Sequence, residues 1–366
     1  MNPTVRYVAE PKHVEEVSLR GTADLPFWQD RLKREGLVPA ERQGRAQVLI
    51  YFWILSWLSF VLLYQSLTAA DLDPSFRILF RGEAITELAP HGTGNIYAPS
   101  VVLEGDLWRM WYGGQGKDGH DRIHYAESRN SGRSWTKCGL ALENGSANHV
   151  NDPSVLRVDG KWFMFYTVAE QGTEDAIALA TSSDGLKWEK KGVVLQPGPK
   201  GSWDSRLLGR PSVLHENGQF RMWYDGQPTK EDRPAAKLEG ARAVGLATSP
   251  DGVHWQRHSA NPVFQQGAGA VDVARVEKGY LLLYEGHTGV GAAVSGDGVV
   301  WKVRGLVTHL SGSDSDRYGQ VTPHLVHAGN AWQIFFGAAN RKTWDGNIMA
   351  VISLSAVPPI GEGEAK

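Results

Sequence analysis

The sequence predicts an all-β fold: a five-bladed β-propeller preceded by a single N-terminal transmembrane helix. Three observations carry this expectation. One strand pattern recurs five times, glycine and tryptophan are abundant (42 and 14 of 366 residues), and one uncharged apolar stretch precedes the repeats. Many short strands joined by tight turns need such a composition, and self-similarity at a fixed period marks repeat architectures.

The first copy, YAPSVVLEGDLWRMWYGG from Tyr97, runs on through IHYAESRNSGRSW to Trp135. NDPSVLRVDGKWFMFYTV from Asn151 leads to IALATSSDGLKW ending at Trp188, and GRPSVLHENGQFRMWYDG from Gly209 to VGLATSPDGVHW ending at Trp255. VDVARVEKGYLLLYEG from Val271 leads to GAAVSGDGVVW ending at Trp301. The degenerate fifth copy is VTPHLVHAGNAWQIFFGA from Val321, followed by NIMAVISL ending at Leu354.

Each element has a physical reason. A proline opens a short apolar strand, where its missing N–H costs little. Asp159-Gly160 or Asn217-Gly218 then closes a tight hairpin. An aromatic strand alternates its faces with period 2, as in Trp108-Arg109-Met110-Trp111-Tyr112. A strand of small and β-branched residues runs into Asp184-Gly185, Asp251-Gly252 or Asp297-Gly298, and a tryptophan three residues later begins the outermost strand. Four antiparallel strands per repeat make a propeller blade. The fifth copy lacks its outermost strand, and the stretch at 76–82 resembles the outer strands elsewhere, so it is expected to pair with 347–354 and close the ring.

The expected organisation is a cytoplasmic tail at 1–46, a transmembrane signal anchor at 47–70, the propeller at 71–357 and a short tail at 358–366. Val48 to Tyr64 carries no charge, and with the residues to Ala70 it is long enough to cross a hydrocarbon core of about 30 Å. Arg31, Lys33, Arg34, Arg42 and Arg45 precede it while Asp71 and Asp73 follow, which predicts a cytoplasmic N-terminus and an extracytoplasmic propeller. A cleaved signal peptide, with Thr68-Ala69-Ala70 as the cleavage site, and a buried hydrophobic helix are the competing readings. The net charge of −2 gives no basic face for nucleic acid, and Cys138, the single cysteine, excludes an internal disulfide framework or a cysteine-rich zinc site.

The PSV…MWY…ATSxDGxxW pattern resembles the five-bladed propellers of glycoside hydrolase families 43 and 32, over roughly residues 76–355. The Ser-Asp-Gly-Trp turns are also similar to the Asp-box of sialidases, whose propellers have six blades. The hydrolase resemblance implies a site at the axis, where the innermost strands begin, built from an acid, a base or nucleophile and a supporting carboxylate. The residues aligned at that position are Ala98, Asp152, Arg210, Asp272 (by a looser match) and Thr322. Asn151-Asp152-Pro153 matches the family's Asp-Pro form, whereas Ala98 stands where the families place the first-blade carboxylate.

The candidate catalytic residues are therefore Asp152 as base or nucleophile, with Asp272 or Glu285 as acid. Arg210 is expected within salt-bridge reach of Asp152, lowering its pKa. Tyr97, Trp203, Arg206, Arg210, Asp225, Gln320 and His324 are the candidate substrate-binding residues, with Trp203 offered as an exposed platform for a sugar ring. Competing roles are a backbone-capping Asp152, a purely structural Arg210, solvated acids at Asp225 and Glu285, and a packed His324; the other tryptophans read as inter-blade core. No His, Asp and Glu spacing specifies a metal, and no cofactor is expected. Four functions stay open: a membrane-anchored glycoside hydrolase acting on a glycan or oligosaccharide, a silent carbohydrate-binding propeller, a phosphorylase using Arg206, Arg210 and Arg317, and a protein scaffold.

Overall fold

The computed structural model describes residues 78–354 except 88–91, 171–173, 239, 267–268 and 329–330. The expected anchor at 47–70 lies outside the described residues, as do both expected tails; among the described residues no helix is long and apolar enough to cross a membrane.

Among the described residues, twenty strands form five four-stranded antiparallel sheets. Blade 1 is β2 (Gly92–Glu104), β3 (Leu107–Gly116), β4 (Asp121–Ser128) and β5 (Thr136–Leu142). Blade 2 is β6 (His149–Val158), β7 (Lys161–Ala169), β8 (Ala176–Ser182) and β9 (Glu189–Leu195). Blade 3 is β10 (Leu207–Glu216), β11 (Gln219–Gln227), β12 (Ala243–Ser249) and β13 (Gln256–Arg257), with a single helical turn, α1 (Arg233–Ala236), between β11 and β12. Blade 4 is β14 (Val271–Val276), β15 (Gly279–Tyr284), β16 (Gly291–Ser295) and β17 (Lys302–Leu306).

Blade 5 takes β18 (Gln320–Ala328), β19 (Ala331–Ala338) and β20 (Ile348–Leu354) from the end of the repeats, and its outer strand β1 (Ile78–Ile85) from the beginning. The expected closure is present: Ile78 pairs with Leu354, Arg81 with Ile352 and Ile85 with Met349. The pairing covers one edge of β20 and leaves no unfinished blade.

The core is divided into five apolar clusters, each shared by two neighbouring blades. Trp111, Trp162 and Trp223 are fully buried in them, as the alternating aromatic strands predict. Four outer hairpins repeat one hydrogen-bonded turn. In blade 2, Ser182 Oγ donates to Asp184 Oδ1 at 2.9 Å and accepts the Gly185 amide at 2.9 Å, while Asp184 Oδ1 accepts the Leu186 and Lys187 amides. The turn also joins blades, since the Trp111 indole N–H of blade 1 donates to Gly185 O and that of Trp223 in blade 3 to Gly298 O. Gly298 has φ +78°, and a Cβ there would lie 2.7 Å from the Trp223 ring, so only glycine fits.

The innermost strands β2, β6, β10, β14 and β18 contact each other in a closed circle. One hydrogen bond from each blade to the next stitches that circle. The side chains of Ser100, Ser154, Ser212, Asp272 and His324 accept, respectively, the amides of Val155, Val213, Val273, Leu325 and Val101, at 2.8–3.0 Å.

Candidate active site

The inner strands of blades 1, 2, 3 and 5 each hold a bulge at their first turn. In blade 2, Asn151 pairs with Thr167 and Ser154 with Phe165, so two residues of β6 oppose one of β7. The bulged residue before each proline has a left-handed backbone: Ala98 φ 50°, Asp152 φ 49°, Arg210 φ 45° and Thr322 φ 46°. Such a conformation costs on the order of 1–3 kcal/mol for a non-glycine residue and persists where its surroundings enforce it. Here the enforcing bonds come from neighbouring strands: the Arg210 amide donates to Thr167 Oγ1 at 2.8 Å and the Ala98 amide to Thr322 Oγ1 at 2.7 Å.

The inner strand of blade 4 has no proline and no bulge. Val271, Asp272 and Val273 pair without a break with Tyr284, Leu283 and Leu282. This corrects the alignment of Asp272 with Asp152: Asp272 occupies the register of Ser154 and Ser212, and the left-handed position has no counterpart in blade 4. Asp272 accepts from the Ser212 hydroxyl at 3.0 Å and the Leu325 amide at 2.8 Å, and lies 3.3 Å from His324 Nδ1. Burial works to raise its pKa, but the charge and hydrogen bond of His324 outweigh it and hold Asp272 below the usual carboxylate range. His324 is correspondingly raised by Asp272 despite its own burial. An ionised, fully engaged carboxylate is unsuited to donating a proton.

Glu285 is also committed to the backbone. Its two carboxylate oxygens accept the amides of Ala270 at 3.0 Å and Thr322 at 3.3 Å. Trp203 is 7% exposed and packs on Tyr224 with ring centroids 5.6 Å apart, so it is blade core and not an open platform for a sugar. Gln320 is fully buried, donating to His309 O at 3.1 Å and Asp316 at 2.9 Å. Arg206 is at the rim, paired with Glu174 at 3.3 Å and donating to Gln227 at 3.2 Å.

Asp152 lines a narrow axial funnel of about 40 Å³ together with Arg210, Asp272, Thr322 and His324. A water needs about 10–15 Å³ of such volume, so the funnel has room for a few waters and no sugar ring. Any glycan must lie across the mouth above it. Arg210 forms its ion pair with Asp225, at 2.9 Å, and not with Asp152. Arg242, just before β12, pairs with the same Asp225 oxygen. A Cβ at Gly269 would fall 2.9 Å from Glu285 Oε1, 3.0 Å from Arg242 Cδ and 3.2 Å from Asp225 Oδ2, which shows how closely these groups converge.

With Arg210 directed to Asp225, burial dominates at Asp152. It pushes the carboxyl up to about 6, against the attraction of Arg210 and a hydrogen bond to Thr167, and nearby Asp225 and Asp175 add to the rise. The expected depression of this pKa is thus reversed. Asp175, just before β8, moves the other way. Burial would raise it, but a 3.1 Å contact with His149 Nε2 and the charges of His149, Arg210 and Arg242 hold it low.

A further cluster surrounds Tyr97. Its hydroxyl donates to Asp121 Oδ2 at 3.0 Å and accepts from Asn151 Nδ2 at 2.7 Å. Burial, then the charges of Asp121 and Asp152, raise the Tyr97 pKa, and burial raises that of Asp121. Of the predicted residues, Asp152, Arg210, Asp225 and Tyr97 are therefore parts of one polar mouth. Asp121, His149, Asp175 and Arg242 were missed. A signal for three of them exists: Asp121, Asp175 and Arg242 each stand two residues before the position where the third strand comes into register with Gly113, Thr167 or Asp225. Among the described residues, no group of three or more His, Cys, Asp or Glu side chains is arranged to hold a metal ion.

Comparison with known proteins agrees with this architecture. The family model described as the glycosyl hydrolases family 32 N-terminal domain matches residues 81–206. An uncharacterised protein of Mycobacterium tuberculosis (strain CDC 1551 / Oshkosh) is 35% identical over 141 residues, which is 35% of this chain and 45% of that protein. A 1,2-β-oligomannan phosphorylase of Thermoanaerobacter sp. (strain X514) is 32% identical over 143 residues, 34% of this chain and 48% of the enzyme. The chain thus spans less than half the length of these curated relatives. A solved structure titled glycoside hydrolase superposes with a TM-score of 0.62 at 20% identity, covering 79% of this chain and 94% of that one. The described repeats form a five-bladed β-propeller of the glycoside hydrolase type.

Proposed function

We propose that the chain is a glycosidase that hydrolyses a glycan laid across the axial mouth, with Asp152 as proton donor and Asp175 as base. The observation that carries this reading is the opposite displacement of two neighbouring carboxyls: Asp152 raised to about 6 and Asp175 held below its ordinary value. Environments that push two titratable groups apart assign the acid and the base. Asp152 gives its proton to the glycosidic oxygen as the bond to the anomeric carbon breaks. Asp175 takes a proton from the water that attacks that carbon, and solvent exchange resets both. Asp175 retains 27% side-chain exposure, so water reaches it, whereas Asp225 is fully buried under two arginines and stays a structural anchor.

The uncharged stretch at 47–70 supports a signal anchor that places this propeller outside the cytoplasm. Release of the full chain from membranes by high salt without detergent would defeat that part of the proposal.

The resemblance to an oligomannan phosphorylase raises a second reading, in which phosphate replaces water. It is disfavoured because the arginines at the mouth are engaged, Arg210 and Arg242 with the buried Asp225, while Arg206 at the rim pairs with Glu174. The test is cleavage of an oligosaccharide panel by the full chain, with and without inorganic phosphate. Hydrolysis requires turnover independent of phosphate and lost in both Asp152→Asn and Asp175→Asn. Turnover that needs phosphate, or that survives both substitutions, overturns the assignment.

A further inference from the structure

A sugar laid across the mouth needs an apolar surface for its C–H faces, and ligand sites usually supply one with aromatic side chains. The funnel is lined by no Phe, Tyr or Trp, and Trp203 is buried. The loop between β19 and β20 offers a different ring, Trp344, which is partly exposed. That loop opens at the mouth end of blade 5. Ala338, the last residue of β19, pairs with Gln320 at the start of β18, two residues before Thr322 of the funnel. Among the described residues, the other partly exposed tryptophans are Trp135, Trp188, Trp255, Trp301 and Trp332. They precede the outer strands or begin β19, at the opposite ends of their blades.

The loop holds Trp344 against its backbone preference. Its φ of 56° is left-handed, an outlier for a bulky residue. Such strain collects at ligand clamps and persists where the surroundings enforce it. Here the indole N–H donates to Tyr318 O at 2.9 Å, the Trp344 amide donates to Arg341 O at 3.1 Å, and Asn347 Nδ2 donates to Trp344 O at 3.0 Å. Gly319 makes the room: a Cβ there would fall 2.9 Å from Trp344 Cζ2. His287, exposed in the loop after β15 of blade 4, stands beside the indole with ring centroids 4.6 Å apart and planes at 47°. Its Nδ1 lies 3.3 Å from the same Tyr318 carbonyl, which can only accept. In the neutral imidazole the proton therefore sits on Nδ1, and Nε2 is an acceptor.

We propose that Trp344 and His287 form a sugar-binding subsite on the blade 4 and 5 side of the mouth, where one pyranose ring of the glycan packs on the indole and gives a hydroxyl hydrogen bond to His287 Nε2. This rests on the glycosidase reading for the place of the scissile bond, and it adds the length of the substrate. Gly319, against which Trp344 lies, is three residues from Thr322 at the funnel, about 10 Å along an extended strand and roughly twice the advance of one sugar unit. The subsite therefore engages a ring beyond the two that flank the scissile bond, and the substrate class is an oligosaccharide of at least three units.

The test is titration calorimetry with manno-, gluco-, galacto- and xylo-oligosaccharides of two to five units, on the full chain carrying Asp152→Asn so that no turnover intrudes. At least one series should bind tenfold or more tightly at three units than at two. In that host Trp344→Gly, which suits the left-handed backbone, should abolish the gain while disaccharide affinity and the thermal unfolding midpoint hold. His287→Ala should lower the trisaccharide affinity threefold or more. Trp344→Phe, which keeps a ring and loses the indole N–H, should retain most of the gain. A gain that survives Trp344→Gly, a Trp344→Phe variant as weak as Trp344→Gly, unchanged binding in His287→Ala, or binding by no oligosaccharide would each overturn the proposal. Length-dependent binding through Trp344 in a wild-type chain that cleaves no glycan would remove the glycosidase reading alone. Cleavage whose KM for a trisaccharide is the same in wild type and Trp344→Gly would remove this inference alone.

Discussion

The two ends of each blade carry the same repeat to opposite outcomes. At the outer hairpin, blades 1 to 4 place a serine hydroxyl on the side chain of Asn130, Asp184, Asp251 or Asp297 at 2.9–3.0 Å. At the mouth, the equivalent positions vary between blades: Ala98, Asp152, Arg210 and Thr322 before the prolines, and Gly113, Thr167, Asp225, Glu285 and Gly337 after the aromatic strands, where only blades 1 and 5 share a residue type. The hairpin is a local folding solution that each blade needs, so one chemistry serves all. The mouth is assembled jointly by the blades. Its positions are complementary, and an aspartate in one blade has meaning only beside an arginine or threonine in the next.

Substitutions can sharpen this contrast, and the largest effect is expected at the mouth. Asp152→Asn should lower kcat by about 10²–10⁴-fold, the usual worth of a general acid, with little change in the unfolding midpoint. The pH profile of the wild type should peak on the acid side of neutrality. Activity falls as pH rises through the Asp152 value of about 6, because the proton is lost. It falls again at low pH when Asp175 takes up a proton. An alkaline limb that stays put in Asp152→Asn variants with residual turnover would separate Asp152 from the profile.

The outer end should answer in stability alone. Gly298→Ala forces a side chain into a left-handed backbone and against Trp223, and should cost roughly 1–3 kcal/mol in urea unfolding. The folded fraction should keep its kcat. A kcat loss larger than the loss of folded protein would break the division between the two ends.

The Asp272–His324 pair lies between these extremes, on the stitched inner circle. Asp272 is depressed in the folded state, so its contribution is present above the unfolded aspartate pKa of about 3.9 and is lost as pH falls through the folded value. His324 is raised, so its contribution is complete below the unfolded histidine pKa of about 6.5 and is lost as pH rises through the folded value. Stability should therefore be greatest between those limits, and His324→Gln should remove the decline on the alkaline side. The smallest effect is expected for Ser249→Ala, which deletes the hydroxyl bonded to Asp251 and Gly252 and should cost about 1 kcal/mol by thermal unfolding.

Blade number, strand order and the closing strand were legible because each rests on a local pattern. The proline, the Asn-Gly or Asp-Gly turn and the alternating aromatic strand are read within about 20 residues. The missing outer strand of the fifth copy is a simple count, and β1 supplies it. Asp152 and Arg210 were legible as mouth residues for the same reason, since both precede a proline at the start of an inner strand. Asp272 was misplaced because a bulge changes register by one residue, and its absence from blade 4 is written in hydrogen bonds and not in residue types. Trp203 was misread because an aromatic residue in a polar loop has the same sequence signature whether it faces solvent or a neighbouring blade.

The amino-acid sequence by itself determined that five copies of one strand pattern would fold into five blades and that their first two strands would bring Asp152, Arg210 and Asp225 to one region. Only the tertiary structure decided which partners they take. Arg210 reaches Asp225 because Arg242 and Gly269 shape that corner, and Asp152 is thereby left to burial, which carries its pKa upward. The physical reason is that a strand's side-chain direction follows from its neighbours one and two residues away, whereas charge pairing and desolvation depend on distances across blades. Those distances join residues far apart in the chain, such as Asp272 and His324, and they are set when the ring closes.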